Sequence, residues 1–125
     1  MIHHISIQVS DLEASAKLYG GMLFALDYKR AFTMEIAVGY GFVIDKEKDI
    51  FAIRKMDSPV TVPSEGFHIA FTAKSREAVD LFFKAALRFG AKNNGKPGLR
   101  KHYGPDYYAA FVIDLDGHRL EAVNK

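Results

Sequence analysis

The chain has 125 residues, of which 49% are hydrophobic, 26% charged and 13% aromatic, a composition that predicts one compact domain with its own core. It contains no cysteine, which excludes disulfide bonds, thiolate metal sites and a cysteine nucleophile. A net charge of +2, with both signs mixed along the chain, disfavours nucleic-acid and membrane partners. No apolar run approaches the length of a membrane span, and the expected location is cytoplasmic.

The first half of the chain alternates between apolar and polar residues, becomes helical, and then alternates again. Residues 2–9 predict a strand with one apolar face. Ser10 followed by Glu13 has the form of a capping box and predicts a helix over residues 11–23, opened by the Ser10 hydroxyl. Three short strands are predicted after the helix, over Tyr28–Met34, Ile36–Ile44 and Ile50–Arg54.

A proline-containing linker over residues 58–64 separates this half from a second half with a similar pattern. Gly66–Ala73 predicts a strand, Ser75 is the expected cap of a second helix, and Gly90 lies where a left-handed C-terminal cap ends it. The remaining third predicts turns and strands. The turns are predicted at Asn93–Gly95, Lys96–Gly98 and Asp114–Gly117, and the strands at Tyr107–Ile113 and Arg119–Val123.

The two halves align when the chain is shifted by 64 positions, which places His4 on His68. This weak internal repeat predicts an α+β fold in which two βαβββ units, about 1–57 and 65–125, make up one domain. We expect the paired units to form a curved mixed sheet with a concave cavity and with the helices on the outside. The polar faces of the strands would line that cavity.

Two histidines and one carboxylate are predicted on this polar face. His4 and His68 occupy equivalent strand positions, and the alternation of the last strand places Glu121 on the same side. Either histidine taken alone is more often a hydrogen-bonded structural residue, but their joint placement favours a metal site. Imidazole and carboxylate suit Zn, Mn and Fe(II), and three protein ligands leave positions open for water and substrate. The matching position in the first unit is Ala52, so it offers no fourth ligand.

Three segments, in matching order and spacing, resemble the vicinal oxygen chelate superfamily: His4–Ser15, Phe67–Phe71 and Asp114–Glu121. This group includes glyoxalase I, extradiol dioxygenases, fosfomycin-resistance thiol transferases and bleomycin-resistance proteins. The resemblance covers nearly the whole chain. The segment Pro97–Phe111 is similar to a broad bacterial subgroup of glyoxalase-like proteins.

The resemblance implies a metal site formed by His4, His68 and Glu121, with Zn, Mn, Fe or Ni as the divalent ion. Glyoxalase I uses four protein ligands, so Ala52 argues against that activity in its usual form, and three ligands resemble the dioxygenase and thiol-transferase sites. The family also implies a small-molecule substrate and a homodimer, in which units sometimes exchange so that one site draws on two chains. Lyase, dioxygenase and thiol-transferase reactions stay open, as does pairing of the units within one chain or between chains.

A basic and aromatic loop precedes the penultimate strand and is a candidate for substrate contacts. Arg100 or Lys101 would meet an anionic group, and His102 or Tyr103 would transfer a proton. Tyr107 is a candidate for lining the cavity. A solvated turn is the plainer interpretation of this loop. The alternative function is a metal-free binding protein that sequesters a hydrophobic or aromatic compound, which the ten phenylalanines and six tyrosines favour.

Overall fold

The computed structural model of the chain describes residues 2–42 and 49–125. The first unit contains β1 (Ile5–Gln8), α1 (Leu12–Phe24), β2 (Tyr28–Thr33), β3 (Ala37–Phe42) and β4 (Asp49–Arg54). The second contains β5 (Ile69–Thr72), α2 (Arg76–Arg88), β6 (Lys92–Leu99), β7 (Tyr108–Ile113) and β8 (Arg119–Asn124). The predicted end of the third strand at Ile44 lies outside the described residues. No helix in the described ranges is both long enough and apolar enough to cross a bilayer.

The strands form two four-stranded mixed sheets with the same topology. Their orders are β1-β4-β3-β2 and β5-β8-β7-β6. In each sheet the first strand runs parallel to the last strand of its unit, and the remaining neighbours are antiparallel. The predicted α+β fold with a repeated βαβββ order is therefore confirmed.

The helix-facing sides of both sheets share one hydrophobic core. Helices α1 and α2 pack against each other, and the core cluster takes residues from both units. The rings of Phe51 in β4 and Phe71 in β5 contact each other with centroids 5.3 Å apart, and Tyr19 of α1 stacks on Phe51 at 5.2 Å. Because side chains alternate along a strand, the opposite side of each sheet faces away from this core.

The two helices have different N-cap residues. The Ser75 hydroxyl caps α2 by accepting a hydrogen bond from Ala78 N–H at 3.1 Å, as predicted. The prediction for α1 was one residue early, because Asp11 is its N-cap and accepts from Ala14 N–H at 3.0 Å. The Ser10 N–H instead donates to the Asp116 carboxylate at 3.1 Å, so a tertiary contact replaces the predicted local one.

Strand β6 replaces the two turns predicted over residues 93–98, and that prediction was wrong. The local turn bond exists, since Asn93 Oδ1 accepts from Gly95 N–H at 2.8 Å. It forms a bulge within the strand, and the pairing of β6 with β7 shifts register on both sides of Gly95. Pairing with a neighbouring strand therefore overrides the turn preference of the asparagine, glycine and proline residues.

The turn between β7 and β8 fastens the second unit to the first. Asp114 is 4% exposed, and its carboxylate accepts a hydrogen bond of 2.6 Å from the Tyr19 hydroxyl of α1. The same carboxylate accepts from the N–H groups of Asp116 and His118 at 2.9 and 2.8 Å. His118 Nε2 in turn donates to the Gln8 carbonyl at 2.8 Å. We call this set of contacts the interunit clasp.

Candidate functional site

The site is centred on Glu121, a carboxylate on the side of the second sheet that faces away from the core. Glu121 lies in β8, opposite Ala70 of β5 and Phe111 of β7. It is 1% exposed, whereas Ala70 is exposed and Phe111 is partly buried. A carboxylate with so little water contact requires charged or hydrogen-bonding partners from the protein.

Glu121 divides its two oxygens between two such partners. His68 Nε2, just before β5, lies 2.9 Å from Oε2, and the Tyr107 hydroxyl donates a hydrogen bond to Oε1. The His68 side chain is 45% exposed, so the imidazole is open to solvent while the carboxylate is not. One imidazole nitrogen next to one oriented carboxylate oxygen is a donor pair that fits a divalent transition metal. Tyr107 would hold the carboxylate in place from behind.

His4 belongs to the other unit and does not join this pair. In the first sheet Ser6 is opposite Ala52, as Ala70 is opposite Glu121 in the second. Ala52 therefore stands where a carboxylate would stand, as the sequence predicted. His4 is exposed, and its Nδ1 lies 2.8 Å from Nδ1 of His3. Over residues 2–42 and 49–125, no three His, Asp or Glu side chains come together as a metal-binding group.

An aromatic wall, formed by His102, Tyr103 and Tyr107, stands beside the carboxylate. The Tyr103 ring lies 4.1 Å from the His102 ring and 5.2 Å from the Tyr107 ring, centroid to centroid. Tyr103 is 63% exposed, so a large part of the wall faces solvent. Tyr108 is directed to the helix side instead, where its hydroxyl donates to Asp80 at 2.6 Å.

The two basic residues of the loop are placed differently. Arg100 is partly buried, and its guanidinium lies over the Phe111 ring with Cζ 5.4 Å from the centroid. Lys101 is exposed in the following turn. Phe111, which also meets the His68 ring edge-on at 6.1 Å, is a site residue that the sequence interpretation missed. The sequence does contain a signal for Phe111. The tight turn at Asp114–Gly117 sets the register between β7 and β8, and this register places Phe111 opposite Glu121.

Tyr107 keeps its proton through the neutral range. Burial, together with the hydrogen bond to Glu121 and the negative charge of that carboxylate, raises the pKa of its phenol to about 12. The phenol therefore acts toward Glu121 as a hydrogen-bond donor. Because the folded protein binds this proton more tightly than the unfolded chain does, the stabilisation is complete below pH 10.0 and is lost as the pH rises through about 12.

We expect Tyr107 to be separable from the other tyrosines by alkaline titration. Phenolate absorbance of the wild-type protein, less that of Tyr107→Phe, should isolate a transition near pH 12. In Glu121→Gln the same transition should move toward 10.0, because the negative charge is gone. Tyr108→Phe is the matched control and should leave the Tyr107 transition in place. A difference transition at the ordinary tyrosine pKa in the wild type would contradict the described contact.

Comparison with known proteins gives one family over nearly the full length of the chain. The family model described as the Glyoxalase/Bleomycin resistance protein/Dioxygenase superfamily matches residues 1–122. The curated protein YqjT of Bacillus subtilis strain 168 is 28% identical over 128 residues, covering 98% of this chain and 97% of YqjT.

Solved structures show the same fold. A glyoxalase/bleomycin resistance protein from Albidiferax ferrireducens T118 superposes with a TM-score of 0.84 at 26% identity, covering 98% of this chain and 97% of its own. The genomically encoded fosfomycin resistance protein FosX from Listeria monocytogenes has a TM-score of 0.68 at 18% identity, covering 96% and 88% of the two chains. At that identity the likeness to FosX concerns the fold alone.

Proposed function

Because this chain belongs to the Glyoxalase/Bleomycin resistance protein/Dioxygenase superfamily, we propose that it is a small metalloenzyme acting on an oxygen-bearing small molecule. The observation that carries the proposal is the buried Glu121 carboxylate with His68 Nε2 at 2.9 Å. Burying a carboxylate is costly, and a buried carboxylate beside an open imidazole favours a site that binds a cation or takes part in a reaction. The superfamily commonly binds divalent metals.

His68 and Glu121 would hold the ion, and His4 would be its third ligand. Nitrogen and oxygen donors without thiolates suit Zn, Mn, Fe or Ni. The bound ion would supply Lewis-acid polarisation of a substrate oxygen, the step common to lyase, dioxygenase and thiol-transferase chemistry in this family. Tyr107 orients the carboxylate and keeps its own proton. His102 and Tyr103, at the exposed wall, are the groups placed to move a proton to or from substrate.

We further propose that His4 reaches the site from a second copy of the chain. Within one chain the helix-facing sides of the two sheets share a core, so the side carrying Glu121 and the side carrying His4 both face outward. Each unit then presents half of a site, one with His68 and Glu121 and the other with His4. Superfamily members are generally small-molecule-binding dimers, which agrees with such sharing.

Calorimetric titration with Mn²⁺ tests the metal proposal directly. The wild-type protein should bind the ion, and His68→Ala and His4→Ala should each lose most of the affinity, by about 100-fold or more. His3→Ala is the matched control, since His3 is the exposed neighbour of His4 and should leave binding intact. Undiminished binding in both His68→Ala and His4→Ala would overturn the proposed ligand set.

Mixing two inactive variants tests whether copies share the site. His4→Ala has intact His68 and Glu121, and Glu121→Ala has an intact His4. Refolded together in equal amounts, they should regain about a quarter of the wild-type sites, because each mixed dimer rebuilds one complete site. A mixture that binds no more metal than its components would show that the site is formed within one chain.

The second candidate function is metal-free sequestration of an aromatic compound. It is favoured by the aromatic wall, in which Tyr103 is 63% exposed between two other rings. Binding of an aromatic compound that survives His4→Ala and His68→Ala, in a protein with no turnover, would favour it over the enzyme. Loss of metal and turnover together would favour the enzyme.

A further inference from the structure

The Arg100 side chain is held in a cradle on the same side of the second sheet as Glu121. Its Nη2 donates to the Lys96 carbonyl at 2.6 Å, and its guanidinium covers the Phe111 ring. Gly95 and Gly98 of β6 leave room for it. A methyl group at either position would come within 3.2 Å of a guanidinium nitrogen. Two glycines, one ring and one carbonyl thus restrain a long side chain that would otherwise be mobile.

Within residues 2–42 and 49–125, no acidic side chain pairs with this restrained guanidinium. Among the residues that the structure describes, the ion pairs involve other side chains, and Glu121 is occupied by His68 and Tyr107. The bond to Lys96 uses one N–H, and the other donors of the fork stay available. The arrangement therefore presents a positive, planar donor set toward the open side of the sheet.

Phe111 connects this donor set to the candidate metal ligands. One side of its ring contacts the Arg100 guanidinium, and its edge meets the His68 ring at 6.1 Å. The Arg100 guanidinium and the His68 ring therefore both pack on Phe111, whose ring centroid lies 5.4 Å from Arg100 Cζ and 6.1 Å from the His68 centroid. A ligand that reaches both needs an oxygen at one end and an oxyanion at the other, with a flat apolar segment between them.

We propose that Arg100 is an anion-binding subsite that selects substrates carrying a carboxylate or a comparable oxyanion beside the oxygen-bearing reactive end. This subsite names a substrate class for the proposed function, and its part in the reaction rests on that function. Anion binding by Arg100 itself needs no metal. Arg100 is a specificity-determining residue in this scheme. Lys101, exposed and one residue further on, has no part in it.

The probe pair 4-hydroxybenzoate and 4-hydroxybenzamide tests the subsite, because the two compounds share a shape and differ in charge. Nuclear magnetic resonance titration of the full-length, metal-free protein should show the carboxylate bound about tenfold tighter than the amide or more. Arg100→Met keeps a long apolar side chain over Phe111 and should remove this preference. Lys101→Met loses the same formal charge and should retain it.

A second variant keeps the arginine and displaces it. Gly98→Val adds a side chain where a guanidinium nitrogen lies, and it should reduce the preference for the carboxylate in the same direction. Equal binding of the two probes by the wild type, or a preference that survives both Arg100→Met and Gly98→Val, would overturn the proposal. So would an equal loss in Lys101→Met, which would indicate general attraction by positive charge.

Measuring Mn²⁺ affinity beside the preference for the carboxylate separates the anion-binding subsite from the proposed metal site. Mn²⁺ affinity should be unchanged in Arg100→Met, because Arg100 contacts none of the proposed ligands directly. Charge preference without metal binding would support the subsite and contradict the metalloenzyme. Metal binding without a preference for the carboxylate would support the metalloenzyme and contradict the anion-binding subsite.

Discussion

Glu121→Gln is expected to lower the affinity for Mn²⁺ by about 100-fold or more while leaving the fold intact. The amide keeps the shape of the carboxylate and can still accept from Tyr107, but it loses the negative charge that a divalent ion requires. Without metal, the free energy of unfolding should change little. Added Mn²⁺ should raise the melting temperature of the wild type and not that of the variant.

Two controls separate a ligand role from a structural role for Glu121. Tyr107→Phe removes only the group that orients the carboxylate and should cost about tenfold in metal affinity. Asp80→Asn changes an acidic residue that hydrogen-bonds a neighbouring tyrosine on the helix side of the same sheet, and it should leave affinity unchanged. If Glu121→Gln unfolds more easily and metal protects it as well as it protects the wild type, Glu121 is a structural residue.

Asp114→Ala is expected to cost about 3 kcal/mol in the free energy of unfolding, the largest stability effect of a single substitution proposed for this chain. The substitution removes the acceptor of three hydrogen bonds from the interunit clasp, two from main-chain N–H groups and one from Tyr19, at a position that is 4% exposed. Chemical denaturation followed by circular dichroism measures it. Metal binding by the folded fraction should persist, since His4, His68 and Glu121 are not members of the clasp.

Two further variants show how much of the loss of stability in Asp114→Ala comes from each contact. Tyr19→Phe deletes the hydrogen bond from the Tyr19 hydroxyl to Asp114 and should cost about 1 kcal/mol. Leu115→Ala, in the same turn and 42% exposed, should stay within about 0.5 kcal/mol of the wild type. A loss in Leu115→Ala as large as that in Asp114→Ala would assign the effect to the turn conformation and not to the clasp.

The sequence predicted the repeated fold because its strongest signals are local. Strict alternation identified β1 and β5, helical spacing identified α1 and α2, and the shift that aligns His4 with His68 revealed the repeat. The equivalence of Ala52 and Glu121 followed from the same alternation, and the strand register confirms it. These features depend on neighbours two to four residues apart, which a single sequence displays directly.

Other features depended on contacts that are distant in sequence. Turn chemistry at Gly95 and Gly98 predicted turns, but pairing with β7, which lies elsewhere in the chain, makes this segment the strand β6. The cap of α1 was misplaced since the Asp116 carboxylate, more than a hundred residues away, occupies the Ser10 N–H. Which sheet faces share the core is likewise a tertiary choice, because alternation assigns each strand an apolar and a polar face from local residues alone.

The order of the strands has a consequence for how the protein behaves at high concentration. β2 and β6 form outer edges of their sheets, where unpaired main-chain groups invite strands of other molecules. Each is irregular: β2 has a bulge between Arg30 and Phe32, and β6 contains Pro97 and two shifts of register. These irregularities discourage fibre-like growth by strand addition at the β2 and β6 edges, which leaves β1 and β5 as the regular edge strands of the two sheets.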